Sequence, residues 1–398
     1  MRKQIKSMKF RNAVFIGALC SMSYLSVYFA RNVLSAAAPQ MIMNEGYTEE
    51  YIGSVSSAFF AFYAVGQLVN GAIGDRIKAQ YMLSFGLVLA GVCNLLFSNM
   101  HKYPYGALLC YGMAAFFLSM IYGPMIKVTA ENTESAYATR CSVSYSFAAF
   151  LGTPIAGLTA AIFFWKKVFA LSSVLLILMG VICFLTFLYF EKKEIVKYDR
   201  NYIASEQKNG GIKMLIQNKI IKFTMIAIVT GVVRTAVVFW LPTYISQYLG
   251  FSAETSTVLF AVSTFIIALS PFIAVFTYEK LGENMDLTLL IMFLLAAASF
   301  LLVSMIKQPF FNIVFMIIAI MSSNCSSDMI WSRYCPGLRD TGMVSSVTGF
   351  LDFVSYVAAA VSNLIFANAV AVIGWEKMIL VWFGLMLAGV FFANMNKK

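Results

Sequence analysis

The sequence has few charged residues and a single histidine. Asp, Glu, Lys and Arg make up only 12% of its 398 residues, whereas a soluble domain of this length carries about twice that share. The seven cysteines lack the paired spacing of a disulfide framework or a zinc site. No nucleophile–base set or cluster of metal ligands occurs within the apolar segments. These absences argue against a soluble enzyme, a disulfide-rich secreted domain and a metalloprotein, and we expect no cofactor and no bound metal.

The sequence consists mainly of long apolar runs. Hydrophobic residues make up 60% of the chain, and its mean hydropathy is +0.79. Runs of about 20 apolar residues predict membrane-spanning helices. We identify twelve such runs, at about 13–43, 52–74, 81–99, 105–129, 141–163, 168–190, 222–249, 255–277, 287–306, 310–332, 343–367 and 375–395. The predicted fold class is an all-α membrane protein with twelve transmembrane helices.

The basic residues predict how these helices are oriented. The net charge is +11, and the chain contains 29 Lys and Arg. With the N-terminus placed inside the cell, 22 of them fall in cytoplasmic segments or at cytoplasmic span ends, 5 fall on the outer side, and the remaining 2 lie near the middle of spans. This positive-inside bias places both termini in the cytoplasm, so the basic charge does not indicate a nucleic-acid partner. We expect a monomeric, multi-pass protein of the cytoplasmic membrane that contacts lipid.

The two halves of the sequence repeat each other. Arg31 precedes Pro39 by eight residues, and Arg234 precedes Pro242 by eight residues. An offset of 204 residues relates three further pairs of segments: 46–50 and 250–254, 75–76 and 279–280, and 142–143 and 346–347. Two parallel six-helix halves with a substrate site between them near the midplane are typical of a transporter. We predict pseudo-symmetric bundles at 1–190 and 222–398, joined by a cytoplasmic linker at 191–221.

Arg31 and Arg234 are the two basic residues that lie near the middle of predicted spans. A charged side chain within a bilayer costs at least about 2.5–3.5 kcal/mol, so its presence there suggests a function. Guanidinium groups bind phosphate or carboxylate oxygens bidentately and stay charged at physiological pH. Tyr24 and Tyr28 share a helix face with Arg31 because the three are spaced i, i+4, i+7. We therefore predict that the two arginines bind one phosphate dianion from opposite halves.

The alternative is that each arginine is neutralised by a carboxylate in a structural ion pair. The six predicted spans of the first half contain no Asp or Glu, whereas the second half offers Asp328 and Asp352. Asp328 lies near the cytoplasmic end, which makes pairing with Arg234 awkward, and Asp352 lies deeper. Asp352 could carry a coupling proton, bind a polar part of the substrate, or set the electrostatics of Arg234. Tyr145 and Trp240 are two further candidate substrate contacts.

Three segments resemble a known family. The run from Gly71 to Lys78, which includes Asp75 and Arg76, resembles the loop between spans two and three of the major facilitator superfamily. The runs Tyr28-Phe-Ala-Arg31-Asn and Arg234-Thr-Ala-Val-Val-Phe-Trp-Leu-Pro-Thr-Tyr resemble its organophosphate:phosphate antiporter branch, which includes glycerol-3-phosphate and hexose-phosphate transporters. The resemblance implies a two-bundle fold, a gating role for the loop motif, and phosphate binding by the two arginines.

The resemblance also has departures. Asn32 occupies a position where the bacterial transporters often have lysine, and the fifth span lacks the histidine of the glycerol-3-phosphate carriers. Tyr24 matches a family tyrosine that faces the site, whereas Asp352 matches no residue of the family pattern.

Together these features predict a secondary active transporter that moves an organic anion by alternating access. The substrate that fits the resemblance best is an organophosphate exchanged for inorganic phosphate. One alternative is a proton-coupled symporter of a carboxylate or other organic anion, with Asp352 as the proton carrier. Another is a transporter-like sensor of sugar phosphate, because the branch contains a receptor of that kind.

Overall fold

The computed structural model describes residues 2–74, 77–100, 103–133, 135–197, 219–335 and 344–395. Every regular element in these ranges is a helix. The elements up to residue 197 are α1 (Arg2–Glu45), α2 (Glu49–Gly74), α3 (Ala79–Asn99), α4 (Pro104–Leu118), α5 (Tyr122–Asn132), α6 (Ser135–Ile162) and α7 (Trp165–Lys192).

The elements that follow residue 219 include two short π-helical segments. In order they are α8 (Ile220–Gly231), the π segment Val232–Val237, α9 (Val238–Gln247), α10 (Ala253–Ile267), α11 (Ser270–Lys280), α12 (Met285–Met305), α13 (Pro309–Met329), the π segment Ile330–Tyr334 and α14 (Val344–Asn394). The turns before α2 and α10 contain Gly46 and Gly250, both with positive φ, of 72° and 75° respectively. Glycine adopts this left-handed conformation without the steric penalty of a Cβ atom.

Ten helices of the described residues are long and apolar enough to cross a membrane. Two of the twelve predicted spans, 343–367 and 375–395, lie together in α14, which is interrupted by the non-helical Gly374 (φ 74°, ψ 167°). The predicted span 141–163 corresponds to α6, whose described apolar part is the shorter helix Phe147–Ile162. The all-helical membrane architecture that the hydropathy predicts is therefore confirmed.

The chain divides into two compact units. The first unit comprises Met1–Gln40 and Ala58–Ile203, and the second comprises Met41–Ser57 and Ala204–Lys398. The predicted linker 191–221 lies largely outside the described residues, since 198–218 are not among them. The domain bounds expected from the sequence therefore stay a prediction.

Residues Met41–Ser57, at the junction of α1 and α2, pack within the second unit. A Cβ atom added at Gly53 would lie 2.3 Å from the Cβ atom of Ala367, so these helices approach closely. Glu49 accepts a hydrogen bond from Gln247 (2.6 Å), and Gln247 in turn accepts one from the indole N–H of Trp375 (3.0 Å). This short polar chain fixes the start of α2 beside α9 and α14.

A helix crossing that contains a glycine lies about one helical turn before each intramembrane arginine. In the first unit, a Cβ atom added at Gly152 of α6 would lie 2.6 Å from the Cβ atom of Tyr28 on α1. In the second unit, a Cβ atom added at Gly231 would lie 2.3 Å from Oγ of Ser355 on α14. Gly231 and Ser355 lie 203 residues after Tyr28 and Gly152, respectively, which is also the separation of the two arginines. The repeat in sequence therefore corresponds to a repeated helix crossing, with the glycine on exchanged helices.

Candidate substrate-binding site

Arg31 of the first unit is surrounded by aromatic ring faces. Its Cζ atom lies 5.3 Å from the ring centroid of Tyr28, on the same helix, and 5.4 Å from those of Phe60 and Tyr63 on α2. The negative faces of aromatic rings attract a guanidinium group within about 6 Å. Arg31 is partly exposed, so the rings orient the guanidinium without removing it from solvent.

The predicted face of α1 continues from Arg31 through two tyrosines. The ring centroids of Tyr24 and Tyr28 lie 4.9 Å apart, and Tyr24 also contacts Tyr122 of α5, with centroids 5.4 Å apart. The spacing i, i+4, i+7 puts these side chains in adjacent turns of one helix face. The structure therefore brings Tyr24, Tyr28 and Arg31 together as the sequence predicts.

Arg234 of the second unit lies on the π segment Val232–Val237. Its Nη2 atom is 3.7 Å from Oδ1 of Asp352, and both side chains are 29% exposed. The Cζ atom is also 5.8 Å from the ring centroid of Trp331 and 5.9 Å from that of Tyr356. π-helical turns insert an extra residue into a helix and often occur at functional sites. Here the π segment contains Arg234 itself.

Asp328 is a second carboxylate near Arg234. It lies at the end of α13, where Ser270 at the start of α11 donates a hydrogen bond to its Oδ2 atom (2.9 Å). The Asp328 carboxylate also interacts electrostatically with Arg234. The direct ion pair is with Asp352, as depth in the membrane suggests. Asp328 nevertheless lies near enough to influence the same guanidinium.

Trp331 is a residue that sequence reasoning does not single out. It lies on the π segment Ile330–Tyr334, and its indole N–H donates to Oγ of Ser327 (3.3 Å). The only hint in the sequence is a tryptophan three residues after an intramembrane acid. Hydropathy does not predict a π turn, so the proximity of Trp331 to Arg234 emerges only from the structure.

Tyr145 and Trp240 are buried within their respective units. The Tyr145 hydroxyl and the Thr129 hydroxyl share a hydrogen bond of 2.5 Å, and only 1% of Tyr145 is exposed. Trp240 is also 1% exposed and packs near Gly53. Its indole nitrogen has no hydrogen-bond partner among the residues that the structure describes. Substrate contact by either residue stays a prediction.

The loop motif falls partly outside the described chain. Gly71 lies in α2, whereas Asp75 and Arg76 lie outside the described residues, so the gating role of the motif stays a prediction. Across the described ranges, no group of three or more His, Cys, Asp or Glu side chains is arranged to hold a metal ion.

Comparison with known proteins identifies a family. The family model described as Major Facilitator Superfamily matches residues 20–362. The solved structure of a D-xylose-proton symporter resembles this chain with a TM-score of 0.74 at 12% sequence identity, and the match covers 97% of both chains. At that identity the likeness shows the fold alone.

Curated relatives give a more specific similarity. The chain is 24% identical over 271 residues to the membrane sensor protein UhpC of Salmonella typhimurium, a match that covers 62% of this chain and 61% of that protein. It is 25% identical over 273 residues to the glycerol-3-phosphate transporter of Bacillus subtilis, covering 62% of this chain and 60% of that protein. The aligned region thus spans about three fifths of the relatives' own length.

Proposed function

Because this chain belongs to the major facilitator superfamily, we propose that it is a secondary transporter that moves an organic anion by alternating access. The substrate is an organophosphate, which the protein exchanges for inorganic phosphate. The observation that carries this proposal is the pair of repeat-related arginines inside apolar helices, each placed against aromatic rings. The relative that is a glycerol-3-phosphate transporter supports the same substrate class.

The proposed roles follow the chemistry of the side chains. Arg31 and Arg234 bind the phosphate group, because a planar guanidinium donates two parallel hydrogen bonds to a phosphate. Tyr24 and Tyr28 line the path beside Arg31, and Tyr145 and Trp240 contact substrate in conformations in which they are less buried. Asp352 balances the charge of Arg234 when no substrate is bound.

The positive charges of the two arginines favour exchange of one bound anion for another over a conformational change of the empty protein. Closing an empty site would bury the positive charge of the arginines in a medium of lower dielectric constant, whereas a bound phosphate dianion neutralises that charge. A ligand shifts a conformational equilibrium only by its differential affinity for the two states. The loaded protein therefore changes conformation more readily than the empty one. The bias of basic residues supports the placement of both termini in the cytoplasm, and we propose that the protein is a monomer in the cytoplasmic membrane.

Reconstitution of the full chain into proteoliposomes tests this proposal. Vesicles loaded with inorganic phosphate are expected to take up radiolabelled glycerol 3-phosphate or glucose 6-phosphate, and vesicles without internal phosphate are expected to take up far less. An imposed pH gradient without internal phosphate should not replace the exchange partner. Uptake that ignores internal phosphate and follows the pH gradient would overturn antiport in favour of proton symport.

A sensor is the second candidate, because one of the relatives is a membrane sensor protein. A sensor would bind phosphate esters in the same vesicles without moving them. Equilibrium binding to the purified protein, measured beside vesicle uptake, separates the two functions. Saturable binding with no flux in either direction would favour the sensor.

A further inference from the structure

One face of α13 presents two polar side chains, and one of them, Asp328, interacts electrostatically with Arg234. Asn324 and Asp328 are one helical turn apart, so they share a face of the helix. Trp331 follows on the adjoining π segment and brings its ring to 5.8 Å from the Arg234 Cζ atom. Asn324, Asp328 and Trp331 are partly exposed. We call these three residues the α13 cluster; two of them, Asp328 and Trp331, lie near the guanidinium.

The polar atoms of the α13 cluster are mainly hydrogen-bond acceptors. Oδ2 of Asp328 accepts from Ser270, and its Oδ1 atom has no hydrogen bond within the described part of the chain. Oδ1 of Asn324 is buried and likewise lacks a hydrogen-bond partner among the described residues. A buried acceptor that stays unsatisfied is costly, so a native structure that contains one calls for an explanation.

A phosphate group does not satisfy these acceptors. Phosphate oxygens are themselves acceptors and carry negative charge, so Asp328 repels them. A hydroxyl group carries a donor proton and satisfies either Asp328 or Asn324. The charge pattern thus divides the second unit's site into a donor side at Arg234 and an acceptor side on α13.

Trp331 supplies an apolar face beside the acceptors. The hydrogen bond from its indole N–H to Ser327 fixes the ring orientation, and the ring remains partly exposed. Small-molecule sites typically combine such aromatic walls with a few well-placed polar groups. A carbon skeleton that carries hydroxyl groups on one side fits this combination.

We propose that the α13 cluster is a second subsite that binds the hydroxyl-bearing organic part of the substrate while Arg234 holds its phosphate. The inference rests on the proposed function and deepens it, because it assigns the recognition of the non-phosphate part to specific residues. The substrate class it selects is a hydroxylated phosphate ester. An alkyl phosphate contacts only Trp331 of the α13 cluster, because it has a carbon skeleton but no hydroxyl group. Inorganic phosphate uses the arginine side alone.

Two matched esters test the proposal by competition. Glycerol 3-phosphate and n-propyl phosphate share a three-carbon skeleton, but only the former has hydroxyl groups. Each competes with radiolabelled inorganic phosphate for the purified full-length protein. Since hydrogen bonds to a charged group are strong, the wild type should bind glycerol 3-phosphate at least about tenfold more tightly than n-propyl phosphate.

The isosteric variant Asp328→Asn gives the sharpest comparison. We expect it to weaken glycerol 3-phosphate about tenfold while n-propyl phosphate and inorganic phosphate stay within about twofold of wild type. Trp331→Leu should weaken both esters more than inorganic phosphate, because both have a carbon skeleton. Glu376→Gln removes an exposed carboxylate of the same unit, whose pair with Lys307 is long at 3.8 Å, and should leave all three ligands unchanged.

Retained phosphate binding shows that each variant is folded, so the ligand ratios remain interpretable. Equal weakening of all three ligands in Asp328→Asn would overturn the proposal, because Asp328 would then act only through Arg234. A wild type that binds the two esters equally would overturn it as well. A wild type without affinity for any phosphate would instead overturn the proposed function itself.

Discussion

The two intramembrane arginines occupy equivalent positions in the repeat but have different neighbours. Arg31 lies among three aromatic rings, at 5.3–5.4 Å from their centroids. Arg234 lies near two rings and also has a carboxylate 3.7 Å away and a second one, Asp328, within electrostatic range. The predicted spans of the first half contain no acidic residue. The second unit therefore has carboxylate acceptors near its arginine, whereas the predicted spans of the first half contain none.

The two units share a backbone feature but differ in the side chains around their arginines. Both units keep an arginine near a close helix crossing, and the crossings are related by the same offset of 203 residues as the arginines. The side chains around the arginines are different. Such a division fits the proposed substrate, because a phosphate ester has one anionic end and one organic end.

The largest effect on phosphate affinity is expected when the planar guanidinium group of either arginine is replaced. Arg31→Lys and Arg234→Lys keep the charge but lose bidentate geometry. Each should weaken inorganic phosphate about 10- to 100-fold, the range for the loss of a charge-assisted hydrogen bond. Equilibrium binding of radiolabelled phosphate to purified protein measures this.

Arg333→Lys is the matched control for these two variants. Arg333 is exposed and lies 4.8 Å from the Tyr278 ring centroid, so it makes the same kind of ring contact outside the proposed site. Its substitution should not change phosphate binding. Wild-type affinity in Arg31→Lys would show that only the second unit's arginine binds the anion.

The helix crossings provide a prediction of stability. Gly152→Ala and Gly231→Ala place a Cβ atom at 2.6 Å and 2.3 Å from a neighbouring heavy atom, respectively. Overpacking of this kind destabilises by about 1–3 kcal/mol. Both variants should therefore show a lower Tm in detergent, measured by thermal unfolding of the purified protein.

Two other glycines make suitable controls for the crossings. Gly123 and Gly349 have no heavy atom within 4 Å of an added Cβ atom. Alanine there should leave Tm unchanged or raise it slightly, because alanine is favoured over glycine within helices by about 1 kcal/mol. If Gly152→Ala behaves like these controls, the crossing in the first unit is not tightly packed, and the two units differ in framework as well as in chemistry.

The sequence predicts the framework better than the details of the site. Long apolar runs predict the membrane-spanning helices. The predicted depth of Arg31 and Arg234 in the membrane follows from the number of residues that precede them in their runs. The two apolar runs on either side of Gly374 predict separate spans, but not the backbone conformation of the break between them. The π segments depend on one extra residue in the hydrogen-bond ladder, which leaves hydropathy unchanged. Hydropathy also does not predict the position of Trp331 or the helix crossings at glycine, because each depends on contact between helices that are far apart in the sequence.

Removal of the carboxylate beside Arg234 should have a smaller effect than loss of the arginine. The Arg234–Asp352 pair is partly exposed and 3.7 Å long, and such pairs contribute about 0–1 kcal/mol. Asp352→Asn should therefore raise the affinity for inorganic phosphate by at most about fivefold, because phosphate no longer competes with the carboxylate. Phosphate binding measured beside wild type tests this.

The same variant also tests Asp352 as a proton carrier. If Asp352→Asn abolishes uptake driven by a pH gradient while phosphate does not compete with the substrate, proton symport becomes the better interpretation. Unchanged phosphate exchange in vesicles would leave charge balance as the role of Asp352.

The smallest effect concerns the phenol groups next to the two arginines. Tyr28 is partly exposed beside Arg31, whereas Tyr356 beside Arg234 is only 5% exposed. A phenol that donates to the bound anion contributes about 0.5–1.5 kcal/mol, so Tyr28→Phe should weaken phosphate binding about two- to tenfold. Tyr356→Phe should leave it unchanged, because the ring that faces the guanidinium is retained. Equal weakening in both variants would show that the two phenols have the same role. The surroundings of the two arginines would then differ only in the carboxylates near Arg234.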